Sequence, residues 1–191
     1  MIAVIPARGQ SQRIKRKNIK PFMGKPIMVY SIQAAQECGL FDEIVVSTED
    51  IEIGVEAVKN GVKSMYRQPE YAEDDVGTQE VAKQVLKSRH IQGHKYACVI
   101  YATSPLLSPL DLRRGFNLLK SNRSKHYAVS VGKNGIDAGN FYIGKTQSFI
   151  DGVPLEGNSI NVPLDDDRVC DINTMTDWKR AEQMFKKLRK K

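Results

Sequence analysis

Short apolar runs recur along the chain, each followed by a stretch of helical periodicity, and this alternation limits its folds most. The runs are IAVI (2–5), EIVVST (43–48), the weaker VKSMYR (62–67) and YACVIYA (96–102). An apolar run of four to seven residues without polar alternation reads as a strand buried on both faces. The intervening stretches carry helix signals. Pro26 stands at a first helical position before 27–38, and Gly39 ends that helix. Asp50 caps a helix to about Asn60, closed by Gly61. Thr78 caps a third, in which Val81 with Val85 and Ala82 with Leu86 share a face. Ser108 and Pro109 start a fourth, with Leu112, Phe116 and Leu119 at the 3.6 period. YAVSV (127–131), NFYI (140–143) and SINVPL (159–164) read as later strands. A last helix runs from about Thr176, its Trp178, Ala181, Phe185 and Leu188 forming a stripe that reads as core packing. The pattern predicts an α/β fold, a three-layer α/β/α arrangement around a mostly parallel sheet. The 191 residues fit one domain over 1–191.

Composition narrows the class. Apolar residues at 41% and charged residues at 27% exclude a disordered or fibrous chain. No stretch approaches the roughly 20 apolar residues of a membrane span. The N-terminus shows no basic region followed by an apolar one, so no secretory signal is expected. Three widely spaced cysteines (Cys38, Cys98, Cys170) argue against a disulfide framework and for a reducing cytoplasm.

The net charge of +7 invites a nucleic-acid reading, but its distribution opposes it. Residues 1–25 carry seven basic residues and no acid, and 179–191 seven basic and one acid, so 26–178 holds net −6 of the total. An acidic body with two basic segments suits a phosphate ligand better than a nucleic-acid stripe. No aromatic interleaves with the basic tail KKLRKK (186–191) as a stacking platform requires.

In open α/β sheets ligands bind beyond the carboxyl ends of the strands. The first such end is PARGQSQRIKRKN (6–18). Gly9 and Ser11 permit a tight turn whose amides can face an anion. Arg8, Arg13, Arg16 and Lys17 supply charge. A solvated basic loop is the bland alternative; placement directly after the first strand favours phosphate. His90 and His94 are four apart but flank Gly93, so ordinary loop histidines are expected. Cys98 reads as a small buried hydrophobe, and Cys170, beside Asp171, as more exposed.

The ordered segments PARGxSxRxxRKN, GKPIMVYSIQAA, FDEIVVSTED, RQPEYAEDDVGT, YATSPL, DAGNFYIGK and RVCDINTMTDW resemble the acylneuraminate cytidylyltransferases, the pseudaminic acid type among them, over nearly the whole chain. The resemblance implies a nucleotidyltransferase sheet of the nucleotide-diphospho-sugar transferase type. It implies transfer of CMP from CTP to a nine-carbon acidic sugar with release of pyrophosphate, assisted by Mg²⁺. Ala7, Arg8, Ser11, Gln12, Arg13 and Lys17 then hold phosphates, and Asn18, Arg67 and Thr78 the cytidine end. Tyr101, Thr103, Ser104, Asn140 and Tyr142 lie toward the sugar. Arg8, Lys17 and Asp171 take the catalytic roles, with Asp171 and Asn173 as metal ligands.

The chain departs from that pattern three times. Gln12 replaces a lysine of the phosphate loop. Asn173 replaces the second acid of the family's DID motif, with Asp165, Asp166 and Asp167 upstream read as a solvated turn. Only GKNGI (132–136) separates YAVSV from DAGNFYI, where the family carries a long insertion with sugar-binding residues and a dimer arm. Five residues make a turn and no arm. Two readings follow: a compact enzyme with a different or smaller acceptor, or a nucleotide-binding, catalytically impaired homologue.

Overall fold

The computed structural model describes residues 1–73 and 76–190. In chain order its elements are β1 (Ile2–Pro6), β2 (Pro21–Phe22), β3 (Lys25–Pro26), α1 (Ile27–Glu37), β4 (Glu43–Thr48), α2 (Ile51–Lys59) and β5 (Lys63–Tyr66). Then come α3 (Thr78–Leu86), β6 (Tyr96–Ile100), α4 (Pro109–Ser121), β7 (Tyr127–Val131), β8 (Asp137–Lys145), α5 (Thr146–Asp151), β9 (Ser159–Pro163) and α6 (Met175–Leu188).

Seven strands form one sheet in the order β5-β4-β1-β6-β8-β7-β9. β1 pairs in parallel with β4 and β6, β4 with β5, and β7 with β9. β8 runs antiparallel to both its neighbours. The sheet is thus mostly parallel, as the alternation predicts.

Alternate residues of the buried strands feed opposite faces. Ala3 and Ile5 join Met28 and Ile32 of α1, Ile53 of α2 and Leu112 of α4 in one core. Ile2 and Val4 join Ala82, Val85 and Leu86 of α3 and Phe149 of α5 in the other. This is why the central strands read as unbroken apolar runs: both faces are covered. A third cluster sits at one end. Phe22 meets Trp178 and Phe185 edge-to-face at 5.4 and 5.7 Å, so α6 covers the small β2–β3 ribbon. The stripe on α6 is core packing.

Several local readings shift. Gly77, not Thr78, is the N-cap of α3, and Thr78 is the first helical residue. Pro26 occupies the cap position of α1. The loop 7–25 contains the ribbon and a short 3₁₀ turn at Lys17–Ile19. β8 is longer than NFYI because Gly139 and Gly144 dilute its apolar signal, and α5 follows it unannounced. Gly144 is there for space: a Cβ would lie 2.4 Å from Tyr127 Cδ1 and 2.8 Å from Phe149 Cε2.

GKNGI closes β7 onto β8 as a tight turn. The Gly132 amide donates to the Ile136 carbonyl at 2.8 Å, and Gly135 takes φ +77°. All three cysteines are unpaired and buried, Cys170 included, which corrects its expected exposure. Among the described residues no helix is long and apolar enough to cross a membrane.

Candidate functional site

β4 and β5 extend from one side of β1, and β6 begins the other side, so the strand order reverses between β1 and β6. Beyond their carboxyl ends lies a cleft of about 540 Å³, within the range of small-molecule sites. Pro6 and Arg8 enter it from β1, Arg67 from β5, and Tyr101, Ala102 and Thr103 from β6. Ser11, Gln12, Arg13, Lys17 and Asn18 of the basic loop line it, as do Thr78 and Asn173.

The loop is held by specific contacts. Ala7 is buried, and its amide donates to the Ser47 carbonyl at 3.0 Å. The buried Asn18 side chain donates to the Arg8 carbonyl at 2.8 Å, pinning the two ends of the turn together. The Gly9 amide donates to Glu49 at 2.6 Å and so is not turned toward an anion, contrary to the sequence reading. Gly9 is required for close approach: a Cβ there would sit 2.4 Å from Asp50 Oδ2. Arg16 also leaves the expected group. Its left-handed backbone (φ 56°) carries its guanidinium onto Asp50 and, at 2.7 Å, Glu52.

Two cations lie deep in the cleft wall. Lys17 Nζ donates to the Ile172 carbonyl at 2.8 Å. Burial lowers its pKa, with the Asp171 carboxylate working the other way. Arg67 is 3% exposed and donates through Nε to Ser47 Oγ at 3.3 Å. Burial brings its pKa down to about 10, against the pull of Glu49, so it stays charged at neutral pH. One oxygen of Glu49 is buried with no hydrogen-bond partner among the described residues.

The segment carrying Asp171 and Asn173 closes the cleft from the far side. Arg13 donates to Asn173 Oδ1 at 2.8 Å, and the Asn173 amide donates to Asp171. The exposed Asp171 lies behind Asn173, outside the residues that line the cleft. Among the described residues no group of three or more His, Cys, Asp or Glu could hold a metal ion. One carboxylate and one amide carbonyl fit a divalent ion that arrives with phosphate oxygens and its own waters. Asp165 and Asp166 are exposed, with Asp166 paired to Lys133 at 2.9 Å, as a solvated turn predicts.

The residues expected at the sugar divide. Tyr101 and Thr103 line the cleft. Ser104, Asn140 and Tyr142 are buried behind it. Ser104 donates to the Gly139 carbonyl at 3.4 Å, Asn140 to the Arg168 carbonyl at 3.5 Å, and Tyr142 meets the Tyr101 hydroxyl at 2.8 Å. Tyr71, Glu73 and Val76 also line the cleft; they lie inside the segment RQPEYAEDDVGT, but the sequence reading gives them no role. Glu49, just past the end of β4 and inside FDEIVVSTED, is likewise given no role by the sequence. His94 contacts Glu43 at 3.0 Å.

A cytidylyltransferase family profile matches residues 2–175. The chain is 33% identical to the pseudaminic acid cytidylyltransferase of Campylobacter jejuni subsp. jejuni serotype O:23/36 (strain 81-176). That match runs over 224 aligned positions, covering 97% of this chain and 96% of the relative. It is 27% identical to N-acylneuraminate cytidylyltransferase A of Danio rerio, covering 95% of this chain and 50% of the relative. The solved structure of CMP:2-keto-3-deoxy-manno-octonic acid synthetase complexed with CTP shares the fold at a TM-score of 0.78. Identity there is 13%, and the match covers 97% of this chain and 98% of that one. The chain therefore belongs to the cytidylyltransferase family.

Proposed function

We propose that the protein transfers CMP from CTP to an acidic sugar and releases pyrophosphate. One observation carries the reading. Arg8, Arg13, Lys17 and Arg67 surround the cleft at the β1/β6 switch point, and the Asp171–Asn173 segment is bonded across it through Arg13 and Lys17. A polyanion entering the cleft meets four cations, with Glu73 in the lining and Asp171 at the flank.

The chemistry follows from charge. The sugar hydroxyl attacks the α-phosphorus, a new P–O bond forms, and the bond to the β-phosphate oxygen breaks. Negative charge grows on the departing pyrophosphate. Arg8 and Arg13 can fork onto phosphate oxygens, and Lys17 acts as a point charge. The partial burial of Arg8 and Lys17 strengthens their contacts relative to water. Asp171 and the Asn173 carbonyl would hold Mg²⁺ brought by the nucleotide, which supplies further neutralisation of the phosphates. The unpaired, buried cysteines suit a reducing compartment.

The five-residue turn between β7 and β8 supports a domain without the family's insertion at that point. The 224-position alignment exceeds the 191 residues of this chain, in line with such a loss. The acceptor would then meet a more open cleft, and dimerisation would need another surface.

Thermal unfolding should shift upward with CTP and Mg²⁺, because a ligand of the folded state alone stabilises it. No shift at millimolar CTP defeats the nucleotide assignment. Pyrophosphate should appear when a nine-carbon keto acid sugar is added. Gln12 and Asn173, each one charge short of the family pattern, favour a second reading, an impaired nucleotide binder. CTP binding with silence across an acceptor screen would select it.

A further inference from the structure

Tyr101 is, among the described residues, the one cleft-lining residue whose side chain is hydrogen-bonded into a chain of phenols. Its hydroxyl lies 2.8 Å from that of Tyr142, and Tyr142 in turn donates to Asp137 Oδ2. The other Asp137 oxygen accepts from the Gly139 amide at 2.8 Å, which fixes the carboxylate at the start of β8. The two rings meet edge-to-face at 5.7 Å. The Tyr101 backbone is pinned on both sides: its amide donates to the Asn140 carbonyl at 3.0 Å, and its carbonyl accepts from Ser31 at 2.8 Å. Antiparallel pairing of β8 with β6 brings Asp137 to the cleft end of the sheet.

A count of protons gives this chain a direction. An ionised carboxylate only accepts, and each phenol has one proton. Tyr142 spends its proton on Asp137. Its oxygen can then only accept from Tyr101, so Tyr101 spends its proton on Tyr142. The Tyr101 oxygen is left with lone pairs alone for the cleft. Burial first, then Tyr101 and Asp137, push the Tyr142 hydroxyl well above its ordinary pKa, so Tyr142 keeps its proton.

We propose that Asp137, acting through Tyr142, makes Tyr101 the hydrogen-bond acceptor for the attacking hydroxyl of the sugar and the first station of its departing proton. This rests on the transferase reading above. As the hydroxyl oxygen bonds to the α-phosphorus, its proton passes to the Tyr101 oxygen. The Tyr101 proton moves to Tyr142, and the Tyr142 proton to the Asp137 carboxylate. Each phenol ends neutral. Asp137 is exposed and returns the proton to water. Tyr101 is the catalytic residue of the three; Tyr142 and Asp137 are positioning residues.

Asp137→Asn tests the direction. An asparagine side-chain amide can donate to Tyr142, which turns both phenol protons toward the cleft. The assays are pyrophosphate release with CTP and a keto acid sugar, and calorimetric titration with CTP alone. Asp137→Asn should lower kcat by at least about 100-fold, the scale of general-base assistance, while CTP affinity holds. Asp137→Glu should recover part of the rate, because it restores an acceptor-only group. Tyr142→Phe should lose as much, and Asp137→Asn with Tyr142→Phe no more than either alone, because the residues act in series. A kcat within about threefold of wild type for Asp137→Asn, or losses that multiply in the double variant, overturns the relay. Absence of pyrophosphate from the wild type defeats the transferase reading and the relay with it. An active wild type with an unaffected Asp137→Asn defeats the relay alone.

Discussion

Lys17 Nζ donates to the Ile172 carbonyl at 2.8 Å, joining residues 155 positions apart. The bond ties the basic loop after β1 to the segment carrying Asp171 and Asn173. The Arg13–Asn173 bond lies beside it. Phosphate loop and acidic segment are therefore one structural unit, and a change on either side should be felt on the other.

Arg13 and Arg16 are three apart in sequence but should behave differently. Arg13 lines the cleft, whereas Arg16 is bonded to Asp50 and Glu52. Arg13→Ala should weaken CTP binding about tenfold, the scale of a lost charge-assisted hydrogen bond. Arg16→Ala should leave the intrinsic contacts to CTP in place and lower the melting temperature slightly. Titration calorimetry with matched melting curves decides this. Equal losses of affinity would put Arg16 back in the binding group.

Gly9→Ala should disable the loop. The added methyl meets the Asp50 side chain at 2.4–2.9 Å, so the turn must move and strain the Gly9–Glu49 hydrogen bond. The expected cost is about 1–3 kcal/mol, or roughly 2–10 °C in melting temperature for a chain of this size. The CTP-induced upward shift should shrink as well. Retention of the full shift would show that the loop tolerates the methyl.

Gly144→Ala should destabilise by a comparable about 1–3 kcal/mol for a different reason. Here the methyl meets the rings of Tyr127 and Phe149, both buried in the core. Its melting temperature should fall while the shift given by saturating CTP persists. Comparison with Gly9→Ala separates core packing from loop geometry.

Asp50 should contribute a pH-dependent share of stability. Burial raises its pKa, but the hydrogen bond from Arg16 and the Ile53 amide more than offset that, and the net value lies below the ordinary 3.8. A carboxyl depressed in the fold stabilises above its unfolded value and loses that contribution as pH falls through the folded one. Asparagine still caps a helix. The advantage of wild type over Asp50→Asn in urea melts should therefore be full above about pH 4 and fade below it. A constant difference down to pH 2 would remove the charge from the account.

The legible parts of the fold were those fixed by local patterning. IAVI and YACVIYA advertised themselves because both faces of β1 and β6 are covered, and Asp50 and Ser108 cap their helices as read. β8 was only half legible, because its two glycines serve space and turn geometry and leave no hydrophobic signature. α5 is too short to show a period. In the cleft, Arg8 and Lys17 are legible from their place after β1, and Asn18 only through the family resemblance. Tyr71, Glu73 and Val76 are not, because the loop that carries them to the cleft has no periodicity to say which side chains face it.

Residue type and order alone determined a parallel α/β sheet and a basic loop at the carboxyl end of its first strand. They did so because buried strands, helix caps and polar turns each leave a mark in consecutive residues. Tertiary structure decided which charges serve the cleft. It sent Arg16 to Asp50, gave the Gly9 amide to Glu49, placed Asn140 and Tyr142 behind the cleft wall, and set Asp137 at the end of a phenol chain from Tyr101. Arg16, Gly9 and Tyr101 find those partners 34 to 41 residues away. Hydrogen bonding and burial fix them only once the strands are side by side.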